Sequence, residues 1–175
     1  MIQKVALSSN MSKSSLLFFI GLFVAIKGDF ESVTTTTDGS EIILSIGSGT
    51  GFASCAGYCY EHVLITSSTI YTTKGSSQTD VFPELQDEQA YNTVDFNQLV
   101  QSIDLQQFRT ISGSIGNCQS DPDCGGSGSE WLAIITNHPP KISVLFPYNT
   151  TIVGCETLLQ DVRQIRDDYL ANNGN

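Results

Sequence analysis

An unbroken apolar run extends from Leu16 to Ile26, after a polar stretch that carries Lys4 and Lys13 and shortly before Gly28. This order of basic, apolar and small residues is typical of a secretory signal peptide. The run has 11 residues, whereas a membrane-spanning helix needs about 20. We therefore expect residues 1–28 to be a signal peptide and the protein to be secreted and extracellular. The alternative is an uncleaved signal anchor.

Secretion would place the five cysteines in an oxidising compartment, where disulfide bonds are the usual state. Cys55 and Cys59 lie close together in the sequence, as do Cys118 and Cys124. We expect these four to form two disulfide bonds, with the connectivity left open by the spacing. Their gaps of three and five residues differ from the pairs of a zinc ribbon. The fifth, Cys155, is then either a buried free thiol or the site of an intermolecular disulfide.

The charge of the chain limits its partners. The sequence has 18 acidic and eight basic residues, and loss of the signal would remove three lysines and leave a net charge of −13. Such a charge repels phosphate backbones and anionic lipids, so we expect no nucleic acid partner and no peripheral membrane binding. No later segment is apolar enough to span a membrane. The partners that remain are an extracellular protein or a mineral surface.

Carboxylates concentrate between Gly75 and Pro140, where nine acidic residues accompany a single basic one, Arg109. Hard oxygen ligands of this kind suit Ca²⁺. Asp121 and Asp123 begin a segment that starts like an EF-hand loop, but Leu132 occupies the position where a Glu is required. We therefore expect at most a weak calcium site. Its ligands would be Asp121, Asp123 and Glu130, with no other cofactor.

No catalytic constellation is visible. The two histidines, His62 and His138, belong to no HExxH or GxSxG motif. The glycines of the segment 47–51 lack the Lys of a phosphate-binding loop and predict a loop that leads to the first cysteine pair. Paired carboxylates leave a small secreted hydrolase as one alternative, with Trp131 as the one aromatic residue near them. We assign no catalytic residue and favour a protein that is not an enzyme.

Asn149 opens the tripeptide Asn-Thr-Thr, which satisfies the acceptor rule for N-glycosylation. The tripeptide follows Pro147-Tyr148, in a segment that we expect to form an exposed turn. Asn149 is therefore a predicted glycosylation site.

Alternating and β-branched residues predict two hairpins, and helical periodicity predicts two helices. An α+β fold follows, with an antiparallel sheet that carries helices on one face and is stabilised by disulfides. We expect a Thr-rich lead-in over residues 29–40, a single domain over 41–171 and a tail over 172–175. The predicted strands are 41–47, 62–66, 69–73, 131–136 and 141–146, and the predicted helices are 95–108, with Asp95 as N-cap, and 155–170.

Three segments, GFASCAGYCYEHVLIT, DFNQLVQSIDLQQFRTI and CQSDPDCGGSGSEWLAI, together resemble a group of secreted domains. These domains combine a cysteine-containing GYC segment, a helix, and a paired-cysteine loop before a strand that carries an acidic residue and Trp. The resemblance covers residues 51–146, leaves Cys155 outside and implies no activity.

The first functional hypothesis is a non-enzymatic acidic protein of the extracellular matrix or of a mineralised secretion, with weak Ca²⁺ association. The alternative is a secreted binding module or protease inhibitor, whose disulfide-bonded loops would present the contact residues.

Overall fold

A computed structural model describes residues 41–52, 55–119 and 124–171. The predicted signal peptide, lead-in and tail, together with Asp121 and Asp123, lie outside the described residues. Within them, seven strands form one sheet in the order β4-β3-β2-β1-β6-β7-β5. The strands are β1 (Ile43–Gly51), β2 (Tyr60–Thr66), β3 (Thr69–Gly75), β4 (Leu85–Ala90), β5 (Gly113–Ser114), β6 (Ser129–Thr136) and β7 (Ile142–Pro147), and the α-helices are α1 (Thr93–Gln101), α2 (Leu105–Thr110) and α3 (Glu156–Ala171).

All neighbouring strands of this sheet are antiparallel except β5 and β7, which are parallel. Both predicted hairpins are present, with Ile65 opposite Ile70 in one and Ile134 opposite Ile142 in the other. A mostly antiparallel sheet with helices and two disulfides is therefore confirmed. No described helix is long and apolar enough to cross a membrane.

Strand β1 corrects the prediction of a loop over the segment 47–51. It runs to Gly51 through the middle of the sheet, between β2 and β6. Gly49 lies opposite both His62 and Trp131, and a Cβ atom at Gly49 would stand 2.5 Å from His62 Cδ2 and 2.6 Å from Trp131 Nε1. Glycine is thus required here because two rings lean over the strand, not because the chain turns.

The single helix predicted for residues 95–108 is two helices, and its predicted N-cap, Asp95, lies within the first turn of α1. Asn92 is the N-cap, since its Oδ1 accepts a hydrogen bond from the Val94 N–H at 2.8 Å. Asp104 begins α2, because its Oδ1 accepts from the Gln107 N–H at 2.9 Å. Asp104, which falls inside the apolar periodicity, therefore starts a new helix as its N-cap.

Strand β4 was not predicted because its sequence, LQDEQA, contains no β-branched or aromatic residue. It forms instead through its backbone ladder with β3, from Leu85 opposite Lys74 to Ala90 opposite Thr69.

One hydrophobic core joins the sheet and the helices. Cys155 belongs to it with 7% of its surface exposed, and this burial raises the pKa of its thiol. Cys155 is a free, buried cysteine. This matches the buried free thiol that was one of its two predicted states. Members of the core include Ile46, Ile65, Ile70, Leu132, Ile134 and Phe146 from the sheet, and Phe96, Phe108, Leu158, Leu159 and Val162 from the helices.

Candidate functional site at the disulfide end of the sheet

Both disulfide-bonded loops lie at the same end of the sheet. The register places Gly51 opposite Tyr60 and Ser129, Tyr60 opposite Gly75, and Ser129 opposite Pro147. The connections that leave these strand ends therefore start side by side. We refer to their described residues, 52, 55–59, 76–84, 115–119, 124–128 and 148–151, as the disulfide end.

The first loop is closed at its base. Cys55 and Cys59 form a disulfide with a Cα–Cα distance of 5.5 Å. The Phe52 N–H donates to the Cys59 carbonyl at 2.9 Å, and the Cys59 N–H donates to the Gly75 carbonyl at 2.8 Å. The loop is thus tied to the ends of both β1 and β3.

The second loop is closed by Cys118 and Cys124, whose Cα atoms are 4.2 Å apart. Both cysteines are buried, and the Tyr148 N–H donates to the Gly128 carbonyl at 3.1 Å. Gly128 has φ +87°, and a Cβ atom there would lie 2.4 Å from Phe52 Cδ1. Phe52 therefore packs directly on Gly128, and the two loops support each other.

Four aromatic side chains follow one another across this end. Phe82 lies in the β3–β4 connection, Tyr58 before β2, Phe52 after β1 and Tyr148 after β7. Phe52 and Tyr148 contact edge to face with ring centroids 4.9 Å apart, and Tyr58 and Phe82 do so at 5.7 Å. We refer to these four residues as the aromatic row. Tyr148 is 43% exposed, and the other three are half-buried.

The disulfide end combines its aromatic residues with small, hydroxyl-bearing and acidic ones. Its described residues include no Lys, Arg or His, and the charged ones, Asp80 and Glu84, are both acidic. Small and hydroxyl-bearing residues supply most of the rest. Aromatic anchors among Ser, Gly, Asn and Thr are typical of loops that recognise proteins.

Glu130, a predicted calcium ligand, has a role that the sequence did not indicate. Its carboxylate is fully buried and accepts hydrogen bonds from Arg163 Nε at 2.9 and 3.1 Å and from Arg166 Nη1 at 2.9 Å. We refer to Glu130, Arg163 and Arg166 as the buried triad. Glu130 could ligate a cation only by giving up these partners. Among the described residues no group of three His, Cys, Asp or Glu side chains is placed to hold a metal ion.

The buried triad also supports the disulfide end. Arg163 Nη2 donates to the Thr150 carbonyl at 2.8 Å, and its hydrogen bonds to Glu130 raise the pKa of Arg163. Helix α3 thereby holds the turn that follows β7. The only sequence signal for the buried triad was a pair of arginines three residues apart in the predicted amphipathic helix. Arginines at such positions are ordinarily solvated.

A second ring cluster lies within the sheet. Tyr60 stacks on His62 with centroids 5.4 Å apart, and His62 contacts the edge of Trp131 at 5.5 Å. The imidazole Nε2 is buried, and this burial lowers the pKa of His62 to about 4. His62 is therefore neutral at physiological pH.

The predicted glycosylation site lies at the disulfide end. Asn149 is exposed, has φ +59° and occupies a turn in which the Thr150 N–H donates to the Pro147 carbonyl at 3.1 Å. Asn tolerates this left-handed conformation better than most residues do.

We expect a eukaryotic secretory host to attach an N-glycan at Asn149, since this asparagine is exposed. Asn149→Gly should abolish the glycan without straining the turn, because glycine adopts positive φ freely. Thr151→Ala should also abolish it, whereas Thr151→Ser should retain it because serine preserves the acceptor rule. Intact mass before and after enzymatic deglycosylation measures this, and an unmodified wild-type chain would contradict the prediction.

Comparison with known proteins found no matching family model and no matching curated protein. The resemblance to secreted GYC-containing domains therefore stays a prediction.

Proposed function

We propose that this protein is a secreted, non-enzymatic recognition module that binds an extracellular protein through its disulfide end. The observation that carries the proposal is the aromatic row, which lies at the end of the sheet where the loops of Cys55–Cys59 and Cys118–Cys124 begin, with Tyr58 inside the first of these loops. Loops constrained in this way lose little conformational entropy on binding, which favours affinity. Tyrosines that are partly buried and partly exposed are frequent binding hot spots.

The rest of the domain acts as a scaffold in this proposal. Helix and sheet residues share one core, and we infer that the helices pack on the sheet face that carries Ile46, Val63 and Leu132. The buried triad then joins α3 to the turn that carries Tyr148. Recognition would thus use loops that a rigid sheet positions, which is a common arrangement of binding sites.

Binding of the partner should depend on the two tyrosines of the aromatic row. We expect Tyr58→Ser or Tyr148→Ser to weaken it about 30-fold each, since truncated aromatic hot spots cost about 2 kcal/mol. The immobilised mature protein would capture partners from native extracellular fluid, and each purified partner would then be titrated against the variants.

Val94→Ser is the matched control, because Val94 is 59% exposed on α1 and α1 follows β4 at the opposite end of the sheet. This control should bind like the wild type. If Tyr58→Ser and Tyr148→Ser bound every purified partner as tightly as Val94→Ser does, the disulfide end would not be the binding site.

Association with Ca²⁺ or a mineral surface in an extracellular matrix is a second candidate function. It is favoured by three exposed carboxylates, Glu84, Asp87 and Glu88, at the start of β4. Calorimetry with Ca²⁺ and retention on carbonate or phosphate mineral test it. Neither experiment depends on the aromatic row.

A further inference from the structure

A cleft lies between helix α3 and the turn that follows β7. Its volume is about 390 Å³, which is within the range of sites that hold small molecules. The turn contributes Thr151 to its wall. Helix α3 contributes a row of polar side chains, namely Glu156, Gln160, Arg163, Gln164 and Asp167. We refer to this site as the α3 cleft.

The spacing of these residues explains why they share one side of α3. Glu156, Gln160 and Gln164 follow one another at intervals of four, and residues at this interval are neighbours on a helix surface. The apolar residues of the helix, including Leu158 and Val162, are buried in the core instead. The α3 cleft therefore lies on the polar side of an amphipathic helix.

Arg163 fixes the position of α3 against the turn. Its Nε donates to Glu130 at 2.9 Å, and its Nη2 donates to the Thr150 carbonyl at 2.8 Å. Thr150 directly precedes Thr151, so this hydrogen bond holds both walls of the α3 cleft in place. A site that is fixed before its ligand arrives loses little conformational entropy on binding.

The groups that line the α3 cleft match a neutral ligand with many hydrogen-bonding groups. The amides of Gln160 and Gln164, both exposed, can donate and accept, and the carboxylate of Asp167 can accept. Charges of both signs line the cleft, since Arg163 accompanies Glu156 and Asp167. The hydroxyl and acetamido groups of a saccharide donate and accept hydrogen bonds and carry no charge. A saccharide is therefore the class of ligand that fits these groups.

The position of Asn149 identifies the saccharide that is nearest. This exposed asparagine is the predicted N-glycosylation site and comes two residues before Thr151. Two residues span at most about 7 Å, and the two N-acetylglucosamine units that begin an N-glycan together exceed this length. A tethered ligand has an effective concentration in the millimolar range, so weak contacts suffice to hold the sugars.

We propose that the α3 cleft binds the first two sugars of an N-glycan carried by Asn149 of the same chain. Gln160 and Gln164 would supply hydrogen bonds to the hydroxyl and acetamido groups. The glycan would then cover the polar side of α3 and add contacts between the helix and the turn. This inference builds on the predicted glycosylation and does not rest on the proposed function.

The test uses the full chain secreted by a eukaryotic host and an endoglycosidase that cleaves between the two core sugars. Sugars that lie in the α3 cleft are protected from the enzyme. Gln160→Ala with Gln164→Ala should therefore speed cleavage of the folded protein about tenfold, because the hydrogen bonds that hold the sugars are lost. Both glutamines are exposed, and alanine favours a helix, so this variant should fold. Intact mass over time measures the rate.

The matched control replaces two exposed glutamines of α1, Gln98 and Gln101, by alanine. It should be cleaved at the wild-type rate, and all three proteins should be cleaved equally fast after denaturation. Equal rates for the folded wild type and the α3 variant, equal acceleration in the control, or an unmodified Asn149 would each overturn the proposal. A wild-type rate that rises on dilution would also contradict it, since the glycan of one molecule would then bind the cleft of another. None of these measurements involves a partner protein, so the proposed function is tested separately.

Discussion

Replacing Glu130 by alanine should lower the free energy of unfolding by about 3–5 kcal/mol, the range measured when one partner of a buried ion pair is removed. Arg166 is 4% exposed, so its guanidinium would stay buried with only Asp167, whose Oδ1 accepts from its Nε at 3.2 Å. Arg163 would keep its hydrogen bond to Thr150 but lose its carboxylate partner. Denaturant unfolding monitored by circular dichroism measures the effect.

The control for this variant is a glutamate–arginine pair on the surface. Glu41 and Arg109 form an ion pair whose side chains are solvent-accessible, and Glu41→Ala should shift the unfolding midpoint far less than Glu130→Ala does. Exposed pairs contribute little because water solvates both charges. Equal shifts for the two variants would show that burial of the triad does not determine its importance.

A triple replacement distinguishes the net contribution of the intact triad to stability from the destabilisation caused by leaving a buried charge unpaired. If Glu130, Arg163 and Arg166 are all changed to apolar residues of similar volume, much of the stability lost in Glu130→Ala should return, because no charge is left unpaired. The turn at Thr150 would still lose its hydrogen bond from Arg163. Reduced binding by such a stable variant would show that α3 positions the disulfide end.

Acidification should destabilise the protein through His62. Burial lowers the pKa of this histidine to about 4 in the folded state, from 6.5 in the unfolded chain. Between these two values the unfolded chain binds the proton and the folded protein does not, so stability falls as the pH falls from 6.5 towards 4. The difference in pKa corresponds to about 3 kcal/mol. Above pH 6.5 this contribution is constant.

His62→Phe should remove this part of the pH dependence, because phenylalanine keeps a ring beside Tyr60 and Trp131 and has no titratable group. Trp131→Phe alters the same ring cluster but leaves the imidazole in place, and should keep the slope. The measurement is the free energy of unfolding of all three proteins from pH 4 to pH 7. Parallel curves for the wild type and His62→Phe would contradict the assigned pKa.

Sequence patterns predicted the elements that have a clear hydrophobic periodicity. They missed the elements that form through contacts with a neighbouring strand. The hairpin β2–β3 and helix α3 were predicted to within two residues at each end. Strand β4 was missed because its order comes from the backbone of β3, and no β propensity marks it. The glycines of β1 suggested a loop, whereas Gly49 is required by the rings of His62 and Trp131, which lie on other strands.

The sequence by itself determined what is local or compositional: the acidic charge, the helical and β periodicities, and the glycosylation acceptor at Asn149. It also predicted which four cysteines are bonded. Only the tertiary structure decided which cysteines pair, that both loops and the aromatic row share one end of the sheet, and that Glu130 is paired with Arg163 and Arg166. The physical reason is that periodicity specifies which face of an element is apolar, whereas strand register and helix docking bring together residues far apart in the chain. Glu130 and Arg166 are 36 positions apart, and nothing local to either residue encodes their contact.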